Sequence, residues 1–147
     1  YEERNLDARI QSFSTGVSHT IDNLRMVVRQ HLGLLAGYTA PAKATVLLNA
    51  AGIGGDQLAF IADDSPLKQG KWLPVYGRPP IPVVAPLTSG HPSTYLLFAW
   101  NLEDDIVAKL TGTSVEHLLI PFPAVHYRDL PQPAFAPVDN NQSPGLD

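Results

Sequence analysis

The sequence predicts an α/β domain in three layers, a small parallel sheet flanked by helices, with a long amphipathic helix at its N-terminal end. Three observations carry this. Apolar residues recur every three or four positions over residues 3–32. From Leu34 to Phe122, short apolar runs alternate with segments of helical composition. The run Thr94–Trp100 is apolar, as in a central parallel strand covered on both faces.

The first element carries Leu6, Ile10, Phe13, Val17, Ile21, Leu24 and Val28 on one stripe, with Arg4, Arg9, Asp22, Arg25 and Arg29 on other faces. About 30 residues at 1.5 Å rise reach about 45 Å, longer than a domain of this size is wide. The helix therefore either breaks near Ser14-Thr15-Gly16 or packs part of its stripe on something outside this chain. Leu34–Tyr38 is a short strand, and Pro41–Ala51 a helix with Pro41 in its first turn and Gly52 placed to end it. Leu58–Ala62 is a second strand, closed by Asp63-Asp64. Residues 65–92 hold seven of the 14 prolines plus Gly70, Gly77 and Gly90, so mostly loop is expected, with Ile81–Ala85 at best a short edge strand. Thr94–Trp100 is the central strand. Asn101 starts the next helix, with Glu103, Asp104 and Asp105 favourable against its dipole. His117–Phe122 is the last strand. Residues 1–125 form the domain, and a proline-rich tail over 126–147 is expected to lie on the surface or to be partly disordered.

Composition narrows the function. At 147 residues, 44% hydrophobic and 16% charged, the chain is one globular domain, long enough to bury about two-thirds of its surface. Without cysteine it can hold neither disulfides nor a cysteine-ligated zinc, and it has no thiol nucleophile. A net charge of −4 with ten Lys+Arg argues against a nucleic-acid partner. No apolar run reaches membrane-spanning length. With no basic-then-apolar leader, the chain reads as a fragment or processed piece of a cytoplasmic protein. The five histidines show no metal spacing, and Glu103 to Asp105 read as first-turn acids rather than a catalytic pair.

The segment richest in chemistry is Gly37-Tyr38-Thr39-Ala40-Pro41-Ala42-Lys43, a strand running through a small-residue turn into a helix. Unpaired N–H groups and the dipole at such a helix start favour an anion. Against the dinucleotide pattern G-x-G-x-x-G/A, Gly37 and Ala42 match the first and third positions, Thr39 stands at the second, and Asp63 could be the acid about 20 residues on. Plain helix–sheet packing accounts for the same small residues.

Residues 37–49, GYTAPAKATVLLN, strongly resemble the G-Y-G-A-x-A-K-x-x-x-L-L-N stretch in the C-terminal domain of S-adenosylmethionine-dependent sugar C-methyltransferases. Gly52-Ile53-Gly54, the run Asp63 to Lys71, Leu97-Phe98-Ala99-Trp100-Asn101 and Ile120-Pro121-Phe122-Pro123 resemble further motifs of that family in the same order, and Arg9 to Phe13 fit its first helix. The resemblance covers residues 4–125. It implies a Rossmann-like domain that helps to hold a nucleoside-diphosphate deoxysugar and works with an upstream methyltransferase domain or another subunit. The methyl donor S-adenosylmethionine, the zinc and the catalytic residues it implies belong to upstream domains, so no cofactor and no catalytic residue is expected in this chain. Thr39, in place of the motif's second glycine, either crowds a phosphate or binds it.

The expected substrate-binding residues are Gly37, Tyr38, Thr39, Ala42, Lys43, Asn49, Asp63, Lys68, Trp100 and Asn101. Lys43 on a first helical turn is a cation where the dipole disfavours one, which a bound diphosphate would explain; a solvated lysine is the alternative. Asn49 either reaches the site or caps local backbone. Asp63 accepts a ribose or sugar hydroxyl or shapes a turn. Lys68 and Lys71 flank a loop that either closes over ligand or is merely solvated. Trp100 stacks on a base or sugar or fills core, at the strand end where open α/β sheets bind ligands. The competing functions are a stand-alone, non-catalytic nucleotide-binding or protein-interaction module and a piece of a dinucleotide-dependent oxidoreductase; Thr39 and the lack of a second domain count against the latter.

Overall fold

The computed structural model describes residues 2–31, 33–86 and 91–132. In chain order these form α1 (Glu2–Gln30), β1 (Leu35–Tyr38), α2 (Ala42–Ala51), β2 (Leu58–Ala62), β3 (Trp72–Leu73), β4 (Ile81–Val84), β5 (Thr94–Leu97), α3 (Glu103–Leu110), β6 (His117–Ile120) and β7 (His126–Asp129). The sheet order is β3-β4-β2-β1-β5-β6-β7. Strands β4, β2, β1, β5 and β6 run parallel, and β3 and β7 close the two edges antiparallel. One core contains α1, α2 and the sheet face bearing Leu35, Ile61, Leu96 and Phe98; the other contains α3 and the face bearing Tyr38, Tyr95, Leu97 and Leu118. This is the three-layer α/β arrangement predicted from the alternating runs.

Helix α1 is unbroken through Ser14-Thr15-Gly16, about 43 Å at 1.5 Å per residue over its 29 residues. Its C-terminal half carries the packing, with Leu24 and Val28 buried on the sheet side. Arg25 pins it to α2: its guanidinium donates to the carbonyls of Ala51 (Nε, 2.9 Å) and Ala50 (Nη2, 3.1 Å), the last carbonyls of that helix. Helix α2 ends as predicted, with Gly52 left-handed at φ 65°. Among the described residues no helix is long and apolar enough to cross a membrane.

Four expectations need correction. Residues 81–84 are not an edge strand: β4 lies between β2 and β3. Pro82 is tolerated there because Val83 bonds the segment that leads into β3, donating to Lys71 O at 2.8 Å and accepting from Gly70 N at 2.9 Å. The central strand ends at Leu97, and Trp100 lies in a 3₁₀ turn beyond it. Asn101 sits in that turn rather than starting the helix, which begins at Glu103 with no side-chain cap. The strand at 117–120 is not the last: β7 extends the sheet past residue 125, pairing Ile120 with His126 and His117 with Asp129. Residues 133–147 of the expected tail lie outside the described residues.

Candidate functional site

The chain leaves β1 toward β2 on one side and β5 toward β6 on the other, so the sheet has its switch point between β1 and β5. Open parallel sheets bind ligands in the crevice beyond the carboxyl ends of such strands. Thr39 to Lys43 follow β1 there, and Trp100 and Asn101 follow β5. Helix α2 opens with Pro41 as N-cap and no side-chain cap, so the amides of Ala42 and Lys43 point out of the helix without an acceptor among the described residues. The Lys43 ammonium lies 4.1 Å above the centre of the Trp100 ring and donates to Asn101 Oδ1. Trp100 leans in turn on Phe122, ring centres 5.0 Å apart. Three of the predicted residues, Lys43, Trp100 and Asn101, thus meet across the switch point although 57 residues separate Lys43 from Trp100.

A polar cleft of about 500 Å³ opens beside them, lined by Trp100, Asn101 and Glu103 to Asp105 and walled by Arg128. Arg128 is held by Glu103 (2.6 Å) and Asp104 (2.9 Å), bonds that keep its guanidinium above its usual range.

Thr39 occupies this crevice in a conformation costly for its type, at φ 65°. That left-handed backbone explains why the resembled motif has glycine here. Its Oγ1 is buried with no hydrogen-bond partner among the described residues. Thr39→Gly is expected to stabilise the fold: relief of about 1–2 kcal/mol of left-handed strain outweighs the roughly 0.5–1 kcal/mol of chain entropy that glycine costs. A melting curve should move up by about 2 °C. A lower melting temperature would show that the threonine side chain supports the turn.

Asp63 joins the two loops under the crevice. Its carboxylate accepts from Ala40 N (2.6 Å), Ser65 N (2.9 Å) and Lys68 Nζ (3.1 Å). Burial pushes its pKa up, but the Ser65 and Ala40 amides and the Lys68 ammonium outweigh it, and the group sits below the usual 3.8. Carboxylate and ammonium are thus engaged with each other and with the turn, which is the turn-shaping alternative for Asp63. Asn49 is a clip between α2 and the loop after β3, donating to Thr45 O (2.9 Å) and Pro74 O (3.1 Å) and accepting from Tyr76 N (2.8 Å). Of these bonds the one to Thr45 is local capping, and the other two tie α2 to a loop distant in sequence. Gly37 is buried in β1, where a side chain would strike Phe98 and Ile61.

Tyr38 points to the α3 face, into a grouping that sequence reading did not assemble. Its hydroxyl donates to Asp64 Oδ2 at 3.3 Å, and Lys109 donates to the same carboxylate from 5.9 Å above the Tyr38 ring centre. Tyr95 packs 6.1 Å from Tyr38, and burial, with Tyr38 adding, pushes its pKa up to about 12. Both tyrosines floor a second cleft of about 400 Å³, walled by Pro86, Leu110 and Val115. Among the described residues no helix connects β4 to β5. Only the contact between Asp64, at a strand end, and Lys109, in the last turn of α3, could have marked this grouping, and nothing in the spacing links them.

Comparison with known proteins places the chain in a family. Residues 3–123 match the family described as the C-methyltransferase C-terminal domain. C-methyltransferase NovU from Streptomyces niveus is 44% identical over 75 residues, a stretch covering 50% of this chain and 17% of that protein. The chain thus spans only a small part of the length of this relative. With a family match over nearly all of the sheet and its helices, the chain belongs to the C-methyltransferase C-terminal domain family.

Proposed function

We propose that this domain holds the nucleoside-diphosphate sugar for a C-methyltransferase, with the diphosphate at the start of α2 and the sugar or base against Trp100. The observation that carries the reading is the switch-point cluster: a cation fixed over an indole by Asn101, beside uncapped helix amides. Amides and dipole favour an anion, Lys43 adds a charge-assisted contact, and Trp100 offers a ring face. The adjoining carboxylates of Glu103 to Asp105 can accept from sugar hydroxyls.

The cofactors implied by the resemblance belong to the rest of such an enzyme. The chain has no cysteine, and among the described residues no three His, Asp or Glu side chains converge. The crevice, with its lysine and helix amides, also suits an anion rather than the sulfonium of S-adenosylmethionine. This chain's share is binding and orientation, which lowers the barrier by fixing the reacting carbon relative to its partner.

Thermal shifts test the reading. Uridine and thymidine diphosphates should stabilise the chain by about 2.7 kcal/mol at a hundredfold excess over the dissociation constant, and the free nucleosides much less. Lys43→Ala should weaken diphosphate binding by about 1.5–3 kcal/mol, the worth of a charged hydrogen bond. It should barely move the melting temperature of the free chain, because Lys43 is partly exposed. No shift with either diphosphate, or a shift indifferent to Lys43→Ala, would leave the loop as ordinary helix–sheet packing.

A further inference from the structure

The N-terminal half of α1 presents an apolar stripe that the domain does not use. Leu6, Ile10 and Phe13 are 55%, 56% and 75% exposed, whereas Leu24 and Val28, further along the same stripe, are buried. The spacing 6, 10, 13, 17 is that of a helix-packing seam. Phe13, Gly16, Val17 and Thr20 stand at i, i+3, i+4 and i+7 and frame one hole of the kind that receives a side chain from a facing helix. Gly16 opens its floor, with no atom within 4 Å of the position a Cβ would take. Phe122 and Pro123 close its far side, and Thr20 Oγ1 donates to Pro123 O at 3.4 Å, which fixes the wall to the helix. The result is a groove of about 400 Å³.

We infer that this groove and stripe dock an apolar side chain and helix of the methyltransferase portion that precedes the domain in the same polypeptide. The inference rests on the reading of this chain as one part of a C-methyltransferase. Two observations choose that occupant. The family is described as a C-terminal domain and is matched from residue 3, which puts the methyltransferase portion of such a protein before α1, and the matched stretch covers only 17% of the curated relative, so most of that protein lies outside it. The stripe itself offers a few side chains of one helix, whereas a freely associating interface engages about 20–30 residues on each side. A tethered partner needs less, because linkage raises its effective concentration. The stripe therefore fits a covalently linked domain better than a second copy.

The test is amide exchange in two proteins: the 147-residue chain, and a fusion in which the portion of the Streptomyces niveus relative that precedes its counterpart of α1 stands ahead of Tyr1. Amides of residues 8–20 should exchange at least about tenfold more slowly in the fusion than in the chain alone. Phe13→Asp should abolish that difference without lowering the melting temperature of the chain, since Phe13 is mostly exposed. Gly16→Leu should also abolish it by filling the hole, while strengthening the helix itself. Equal exchange in chain and fusion, or protection that survives both substitutions, overturns the inference. Protection that grows with concentration in the chain alone overturns it in favour of a second copy. Diphosphate shifts, read on the same proteins, report the switch-point reading separately, so either reading can fail while the other stands.

Discussion

Asp63→Ala is expected to lower the melting temperature of the chain by about 10 °C. The substitution strands the Ala40 and Ser65 amides, each costing about 1–3 kcal/mol when left unpaired in a buried place, and frees Lys68. A loss of about 2–5 kcal/mol follows, and a domain of this length shifts by about 2–4 °C per kcal/mol. The loss also has a pH signature. The folded pKa of Asp63 lies below its unfolded value, so its stabilisation is fully present above about pH 4 and is lost as pH falls through the lower, folded value. Wild type should therefore weaken toward low pH more steeply than Asp63→Asn, which keeps the shape and cannot titrate. Parallel acid melts of the two proteins would remove the carboxylate from this role. The ion pair with Lys68 is a minor share, because the lysine is about half exposed.

Gly37→Ala should be nearly as damaging, at about 3 kcal/mol, the upper part of the range for overpacking a core. A Cβ at this position would lie 2.6 Å from Phe98 Cε2 and 2.9 Å from Ile61 Cγ1, and both side chains are fully buried. The glycine that matches the first position of the dinucleotide pattern is thus already required by strand β1 lying against its own core. Trimming Ile61 to valine in the Gly37→Ala background should recover part of the loss, measured by denaturant unfolding. A fully stable Gly37→Ala protein would mean that the core yields more easily than its packing implies.

Local chemistry made much of this molecule readable. The 3.6-residue period marked α1, Gly52 marked the end of α2, and the apolar run marked β5, because each depends on a residue and its near neighbours. The small-residue turn after Gly37 located the crevice for the same reason. Pro82 was misleading: a proline reads as an edge, but whether its missing donor matters depends on which neighbour the strand faces, and that is set by register with β3. Strand β7 was invisible because its residues are mostly exposed and lack alternation; pairing with β6 makes it a strand.

From its sequence alone, the protein is determined to be an α/β domain with a long amphipathic helix, a strand–turn–helix suited to an anion, and motifs resembling those of sugar C-methyltransferases. Tertiary structure decided which residues meet. It set Lys43 over Trp100 and onto Asn101, spent Asp63 on Ala40 and Ser65, withdrew Asn49 into a clip, and gathered Tyr38, Asp64, Tyr95 and Lys109 on the opposite face. It also left Leu6, Ile10 and Phe13 in solvent. The physical reason is range. Helical period, caps and turn preferences act over a few residues, whereas all of these contacts but the one between Asp63 and Ser65 join positions tens of residues apart, and only the order and register of the strands bring them together.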